Sequence, residues 1–447
     1  MKVTYIGGGS FSLVPQIRDL LQWDELPAKL EISLYDRSLE RAKAVEAYVK
    51  QCPELQKVTG VTIHCAETLD EALQGADFVA VIVCPWNGAM GAQSERLCLE
   101  AGFLGSDNVS ANGAFLSVRG GPLVLDIARR MEQVAPDGTM IIFTNPIATL
   151  AAVVNRATSI RAIGICAGQA NHSYDISRMM GWKDIRFDFE AEVVGTNHIS
   201  WIKALRLDGE DFFPILNARL EKPLDFDAMH PQSMRPHFEL MFTKMVEAYR
   251  KFDAFLFSTE GDGLPHLMYY QEAVEIGRRE LSRPQDQDAA GRRQREVAEF
   301  IRLSKETLTE EQWNDPSRRG DDPAVMTANL VIKGLAGTKP VDVTLSYLNN
   351  GAIPGFEDDV ITEYTMRLQS GQITPQPRHT LPPATVGVTQ ALIESQTLVA
   401  DAIIHEDAHR FLQGFYAYPP CRNSRDVDAL YAQLLACNKT DIPEWVK

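Results

Sequence analysis

Basic charge is scarce in this chain. Its 44 Lys and Arg face 60 Asp and Glu, a formal net charge of −16. Sequence-independent nucleic-acid binding rests on Lys and Arg against phosphates, so no nucleic-acid partner is expected. No apolar run is long enough to cross a bilayer, so no membrane partner is expected either. The N-terminus reads as a core strand rather than a cleavable leader. The seven cysteines are odd in number, scattered and without a C-x-x-C pair. Reduced thiols in a cytoplasmic protein are the simplest account of that pattern. No internal repeat and no low-complexity tract breaks the chain.

What is there belongs to a soluble globular enzyme-sized protein. The 447 residues, 45% hydrophobic and 23% charged, suit two domains with a large core. Met1 to Pro15 organises the first of them. Lys2-Val3-Thr4-Tyr5-Ile6 reads as a strand, Gly7-Gly8-Gly9-Ser10 as a tight turn, and Val14 to Leu21 as a helix. This arrangement lets a backbone approach a pyrophosphate at a helix N-terminus. Gly7 and Gly9 fit G-x-G, while Ser12 stands where a third glycine would complete G-x-G-x-x-G. Leu30 to Asp36 is a second strand ending in an acid, 29 residues after Gly7 and later than the usual spacing of about 20. Asp36 suits ribose hydroxyls and disfavours a 2′-phosphate, so NAD is preferred over NADP; it also suits capping of the next helix.

Further strands are expected at Val61 to Cys65, Phe78 to Cys84, Met140 to Phe143 and Ile160 to Cys166, alternating with helices. That rhythm predicts an α/β fold, a parallel Rossmann sheet wound on both faces. After Asp184 it changes to α+β. Asp184 to Val193 and Trp201 to Leu207 alternate like antiparallel strands, Met234 to Phe252 and Val388 to Gln413 read as long helices, and Ile276 to Asp322 as a solvated, charge-dense stretch. Val341 to Leu348 is another strand, followed by the turn signal Asn349-Asn350-Gly351. The expected division is a nucleotide domain over residues 1–168 and a substrate and metal domain over 169–447.

Four places carry candidate chemistry. Thr144-Asn145-Pro146 ends an apolar strand, where an Asn can orient a hydroxyl or simply end a turn. Cys166 ends the last strand of the first domain, and Asn197-His198 lies between two alternating strands of the second. A thiolate and an imidazole brought together would bind a transition metal with open positions, although each alone also suits an ordinary core role. Glu260 to Tyr270 gathers Asp262, His266 and Tyr269, side chains suited to proton transfer or equally to a capped helix start.

Together these segments resemble glycoside hydrolase family 4, the NAD- and manganese-dependent glycosidases. The resemblance spans Gly7 to Ser10, Tyr35-Asp36, the stretch from Leu116 to Arg119 with Leu123 to Ala128 around a glycine-rich break, Phe143 to Pro146, Cys166, Asn197-His198 and Asn350 to Pro354. It implies a second domain like that of lactate and malate dehydrogenases, NAD on Gly7, Gly9, Ser10, Phe11 and Asp36, and Mn²⁺ or another divalent transition metal on Cys166 and His198. It implies substrate contacts from Asn145, Asn197 and Arg119, and a homodimer or homotetramer. The reaction it implies is oxidation of a carbohydrate glycoside at C3, removal of the C2 proton, elimination of the aglycone and addition of water. Asp262 and His266, with Tyr269, are the expected proton-transfer groups.

The chain departs from the family pattern at Ala167, at His266 and at Tyr269-Tyr270. Ala167 stands directly after Cys166, where family members commonly carry Asn, Asp or His, and only a folded-back loop would let His172 substitute. His266 stands where the phospho-glycosidase branch has Tyr, which brings the chain closer to the α-glycosidase and uronidase branch acting on unphosphorylated sugars. Tyr269-Tyr270 stands where the unphosphorylated branch has Glu-Tyr, so neither branch fits fully. Two other readings compete: an NAD-dependent 2-hydroxy acid dehydrogenase, which needs no metal pair, and a non-catalytic NAD-binding relative, which Ala167 favours.

Overall fold

The computed structural model describes residues 1–85, 88–103, 105–229, 237–258, 289–314, 323–376, 380–422 and 426–447, with Glu272, Glu275 and Leu281 between them. Six parallel strands build the first half: β1 (Lys2–Ile6), β2 (Leu30–Tyr35), β3 (Val61–Cys65), β4 (Phe78–Val81), β5 (Thr139–Ile142) and β6 (Arg161–Gly164). Their order, β3-β2-β1-β4-β5-β6, is that of a doubly wound Rossmann sheet. Residues such as Val3, Tyr5, Ile32, Leu34, Val79 and Ile141 are wholly buried, because helices cover both faces and leave the strands no solvent side. The order reverses between β1 and β4, which pair through Val3 opposite Phe78. Ligands bind outside the carboxyl ends of strands at such a reversal.

The helices of this half are α1 (Leu13–Leu21), α2 (Leu39–Val49), α3 (Leu69–Leu73), α4 (Gly88–Glu100), α5 (Ala111–Val134), α6 (Ile147–Ala157) and α7 (Gly168–Met180). Ser38, Thr68 and Ser110 cap α2, α3 and α5 by accepting backbone N–H bonds. The Gly120-Gly121-Pro122 stretch, read from sequence as a break, lies inside the single helix α5. Gly121 serves close packing there. A Cβ on Gly121 would stand 2.8 Å from Ile403, which lies in the Val386–His405 helix.

The second half is antiparallel, as its alternation predicted. Its strands are β7 (Glu190–Thr196), β8 (Ile199–Leu207), β9 (Glu210–Asp211), β10 (Phe255–Leu256), β11 (Val341–Leu348), β12 (Ile361–Gln369) and β13 (Gln372–Pro375). β11 pairs with β6 through Ser346 opposite Gly164, which joins both halves into one 13-stranded sheet. β7 begins only at Glu190; the expected strand from Asp184 does not form over its first residues, where Phe187 is 56% exposed and packs edge-on against Tyr174 of α7. The long helix expected over Val388 to Gln413 is two helices, Val386–His405 and Ala408–Ala417. Glu406 breaks it with a left-handed backbone (φ 55°), and the Asp407 side chain caps the next helix. Asn350 and Gly351 both take positive φ, as the turn signal required. Among the described residues no helix is long and apolar enough to cross a membrane.

Candidate functional site

The glycine turn is moulded onto the ends of β2 and β4. Gly7 has φ 94°, and a Cβ on it would lie 2.1 Å from the Ile82 carbonyl oxygen. Gly7 and Gly8 both donate their N–H to Tyr35 O, at 2.9 and 2.8 Å. Gly9 N donates to Asp36 Oδ2 at 3.0 Å, and a Cβ there would crowd that oxygen at 2.9 Å. Asp36 Oδ1 accepts from Ser38 N at 2.8 Å, so the acid braces both the turn and the start of α2. The cap of α2 itself is Ser38, so Asp36 supports the helix start from the preceding turn, and its remaining lone pairs stay able to accept other donors. Ser12, in the place of the third glycine, precedes α1 without capping it, and its hydroxyl lies 2.8 Å from that of Ser10. Phe11 stacks on Phe300 with ring centroids 3.6 Å apart, and the Arg41 guanidinium lies 5.9 Å from its ring. Phe300 belongs to the Ala289–Leu303 helix of the charge-dense stretch, so that helix is anchored on the nucleotide half rather than simply solvated. A cradle that any Cβ would fill, followed by a helix N-terminus, fits a dinucleotide.

A second cluster lies along the same rim. Cys166 follows β6, and His198 sits in the two-residue turn between β7 and β8 with φ 68°. The turn brings His198 Nε2 to 3.5 Å from Cys166 Sγ. Soft sulfur beside imidazole nitrogen is a donor set for a transition metal. Asn145, beyond β5 at a cis peptide to Pro146, donates its Nδ2 to Asp107 Oδ1 at 3.0 Å. Asn197 donates its Nδ2 to Glu363 Oε2 at 2.8 Å. Glu363 stands opposite Gly195 in the β12–β7 pairing and also accepts from Ser200 Oγ at 2.7 Å.

Asn108 joins these parts. Its Nδ2 lies 3.2 Å from Asn145 Oδ1, 2.9 Å from Asn197 Oδ1 and 2.9 Å from His198 Nε2. An amide NH₂ can only donate, so with Asn108 oriented this way His198 Nε2 is the acceptor, the role it would also take toward a metal. Among the described residues, Asn108 Oδ1 is buried without a hydrogen-bond partner. An oxygen in want of a positive partner, beside a thiol and an imidazole, fits a bound cation. Sequence reasoning missed Asn108, Asp107 and Glu363. The run Asp107-Asn108-Val109-Ser110 has the composition of a helix cap, and Ser110 does cap α5.

Arg119, the expected substrate contact, is bonded to the C-terminal segment. Its side chain is 1% exposed, pairs with Asp441 and donates to Asn438 Oδ1 at 3.3 Å. It thus ties α5 to the C-terminal segment, and its bonds among the described residues reach Met90, Asn438 and Asp441. His172 is buried in α7, 3.2 Å from Gly168 O through Nδ1 and stacked on Phe257. Ala167 is the residue before α7 and offers no side-chain cap. Asp262, His266 and Tyr269 lie outside the described residues.

Comparison with known proteins yields two family models. "Family 4 glycosyl hydrolase" matches residues 2–182, and "Family 4 glycosyl hydrolase C-terminal domain" matches residues 193–420. The 6-phospho-beta-glucosidase of Escherichia coli (strain K12) is 24% identical over 452 residues, covering 100% of this chain and 97% of that protein. The alpha-galactosidase of Bacillus subtilis (strain 168) is 23% identical over 461 residues, covering 99% of each. Among solved structures, the 6-phospho-beta glucosidase from Thermotoga maritima with manganese, NAD⁺ and glucose-6-phosphate shares the fold with a TM-score of 0.77. It is 20% identical and covers 99% of both chains.

Proposed function

Because this chain belongs to the family 4 glycosyl hydrolases, we propose that it cleaves a small carbohydrate glycoside through transient oxidation of the sugar at C3. The observation that carries this reading is the 3.5 Å approach of Cys166 Sγ to His198 Nε2, on the same strand-end rim as the glycine turn. When bound, NAD accepts and returns a hydride, and Mn²⁺ or another divalent transition metal supplies the Lewis acidity that makes the C2 proton labile. Gly7, Gly9 and Ser10 hold the pyrophosphate against the start of α1, and Asp36 takes the adenosine ribose. Phe11 closes the turn from above through its stack on Phe300. Cys166 and His198 hold the metal, and Asn145 and Asn197 orient sugar hydroxyls beside it. Asp262 and His266, with Tyr269, move the protons at C2 and at the leaving group.

Within the family we read the substrate as a glycoside without a phosphate at C6, on the strength of His266 in the sequence. The protein acts in the cytoplasm as a homodimer or homotetramer in this reading, with residues 1–168 serving the nucleotide and 169–447 the sugar and metal. The test is a panel of glycosides, glycoside 6-phosphates and glycuronides, incubated with NAD and Mn²⁺ in D₂O. Deuterium at C2 of the released sugar supports the reaction, and the responding substrate names the class. Cleavage without deuterium replaces the proposal with ordinary hydrolysis. Net NADH from a 2-hydroxy acid would make the protein a dehydrogenase, and NAD binding without turnover a non-catalytic relative.

A further inference from the structure

Three acceptors converge on one buried point beside the metal pair: Asn145 Oδ1, Asn197 Oδ1 and His198 Nε2. Two of them are fixed from behind. Asp107 holds the Asn145 NH₂ and Glu363 holds the Asn197 NH₂, so the oxygens and not the nitrogens face inward. The NH₂ of Asn108 fills the point with two protons for three acceptors, while its Oδ1 is buried and, among the described residues, unpaired. One end of this amide is over-subscribed and the other unsatisfied.

A cation changes that balance. Donors held by one transition metal at about 2.0–2.3 Å lie about 3–3.7 Å from one another. Cys166 Sγ is 3.5 Å from His198 Nε2, and the terminal atom of Asn108 is 2.9 Å from the same nitrogen. Among the described residues, no group of three His, Cys, Asp or Glu surrounds one point. Among the described residues, a third protein donor at this pair is therefore a neutral oxygen.

We propose that Asn108 is that donor. A half-turn of its amide about the Cβ–Cγ bond puts Oδ1 where Nδ2 now lies. In this structure the NH₂ occupies the place and keeps the converging acceptors from repelling one another. When the metal binds, the amide turns and its oxygen joins Cys166 and His198. The backbone need not move, and it is pinned: Asn108 N donates to Ser106 Oγ at 3.0 Å, and Ser110 N donates to Asn108 O at 3.0 Å. The proposal rests on the assignment of Cys166 and His198 as the metal pair.

The experiment is a calorimetric titration of Mn²⁺ into metal-free protein, without sugar, for wild type, Asn108→Ala, Asn108→Asp, Cys166→Ser and His198→Ala. NAD affinity, measured in parallel, reports folding. The expected result is a loss of about tenfold or more in Mn²⁺ affinity for Asn108→Ala with NAD affinity kept. Asn108→Asp, which presents an oxygen in either orientation, is expected to bind Mn²⁺ at least as tightly as wild type. This arm stands if the alanine variant does not fold. Wild-type or tighter Mn²⁺ binding by Asn108→Ala overturns the proposal, as does weakened binding by a folded Asn108→Asp. If Cys166→Ser and His198→Ala lose Mn²⁺ while Asn108→Ala keeps it, only the third ligand falls. If those two also keep it, the metal pair itself falls.

Discussion

Asn197 Nδ2 donates to Glu363 Oε2 at 2.8 Å across 166 residues of chain, fixing which face of the Asn197 amide looks into the site. Glu363 is 4% exposed and also accepts from Ser200 Oγ and, at 3.4 Å, from Ser346 Oγ. These donors satisfy the buried carboxyl oxygens that would otherwise be costly to place in the interior.

Glu363→Gln should disturb the metal site without touching the nucleotide site. Gln offers an NH₂ in place of one carboxylate oxygen, so it cannot accept from both the Asn197 amide and Ser200. Asn197 then turns, and its NH₂ meets the NH₂ of Asn108. The expected outcome is Mn²⁺ affinity lowered about tenfold or more and stability lowered by about 1–3 kcal/mol. NAD affinity should be unchanged. Calorimetry and chemical denaturation read these quantities, and wild-type Mn²⁺ affinity in a folded variant would remove Glu363 from the site.

The nucleotide turn makes a complementary prediction. Asp36 holds Gly9 N and Ser38 N, so Asp36→Ala removes a ribose acceptor and a brace of the turn together. NAD affinity should fall about tenfold or more, on the loss of about 1.4 kcal/mol or more from charge-assisted hydrogen bonds. Gly9→Ala should weaken NAD as well, because its Cβ would stand 2.7 Å from Arg41 Cβ and 2.9 Å from Asp36 Oδ2. Mn²⁺ binding should survive both changes. Fluorescence titration with NAD decides the matter, and an unchanged affinity in Asp36→Ala would displace the ribose site.

What was legible in the sequence shared one property: a residue at a strand end whose type its surroundings did not require. The glycine run, Asp36, Asn145 and Cys166 stood out because an apolar strand led up to them, and His198 because it lay between two alternating strands. Asn108 did not stand out, because Asp-Asn-Val-Ser before a helix is already explained by capping. Glu363 was hidden differently. It sits on β12 between Thr362 and Tyr364, and only the pairing of β12 with β7 brings it beside the Asn197 turn. Such partnerships depend on register between strands far apart in the chain, which local periodicity does not encode. The helix break at Glu406 was missed for a related reason, since apolar spacing continues on both sides of it.

Acid sensitivity should centre partly on Glu54. Arg18 grips its carboxylate with two bonds, Nε to Oε2 at 2.9 Å and Nη2 to Oε1 at 2.8 Å, and also donates to Trp313 O at 3.1 Å. Burial raises the Glu54 pKa, but the Arg18 bonds outweigh it and hold the carboxyl below its ordinary value. A group depressed in the folded state gives stability that is full above its unfolded pKa, about 4.3, and lost as pH falls through the folded value. Glu54→Gln should cost about 1–2 kcal/mol near pH 7, and the difference from wild type should shrink as pH falls below about 4. Thermal unfolding across pH 3 to 7 measures this. A gap that stays constant down to pH 3 would show that the pair does not titrate with folding.

Arg119 and Asp441 supply the remaining prediction, which separates a structural role from a substrate contact. The Arg119 side chain is buried in α5, with Asp441 half-exposed at the end of its reach and Asn438 wholly buried beside it. Asp441→Ala leaves a guanidinium in the interior with a neutral amide as its remaining oxygen partner, at a cost of about 3 kcal/mol. Replacing both residues, Arg119→Met with Asp441→Ala, removes the stranded charge and should recover most of that loss, because an apolar side chain of similar length fills the same space. Chemical denaturation of the two variants tests this pair of signs. The kinetic readout is KM for whichever glycoside the panel identifies. A guanidinium that serves only to fasten α5 to the C-terminal segment leaves KM unchanged in both variants. A several-fold rise in KM for the double variant, at restored stability and with KM unchanged in Asp441→Ala, would instead return Arg119 to the substrate.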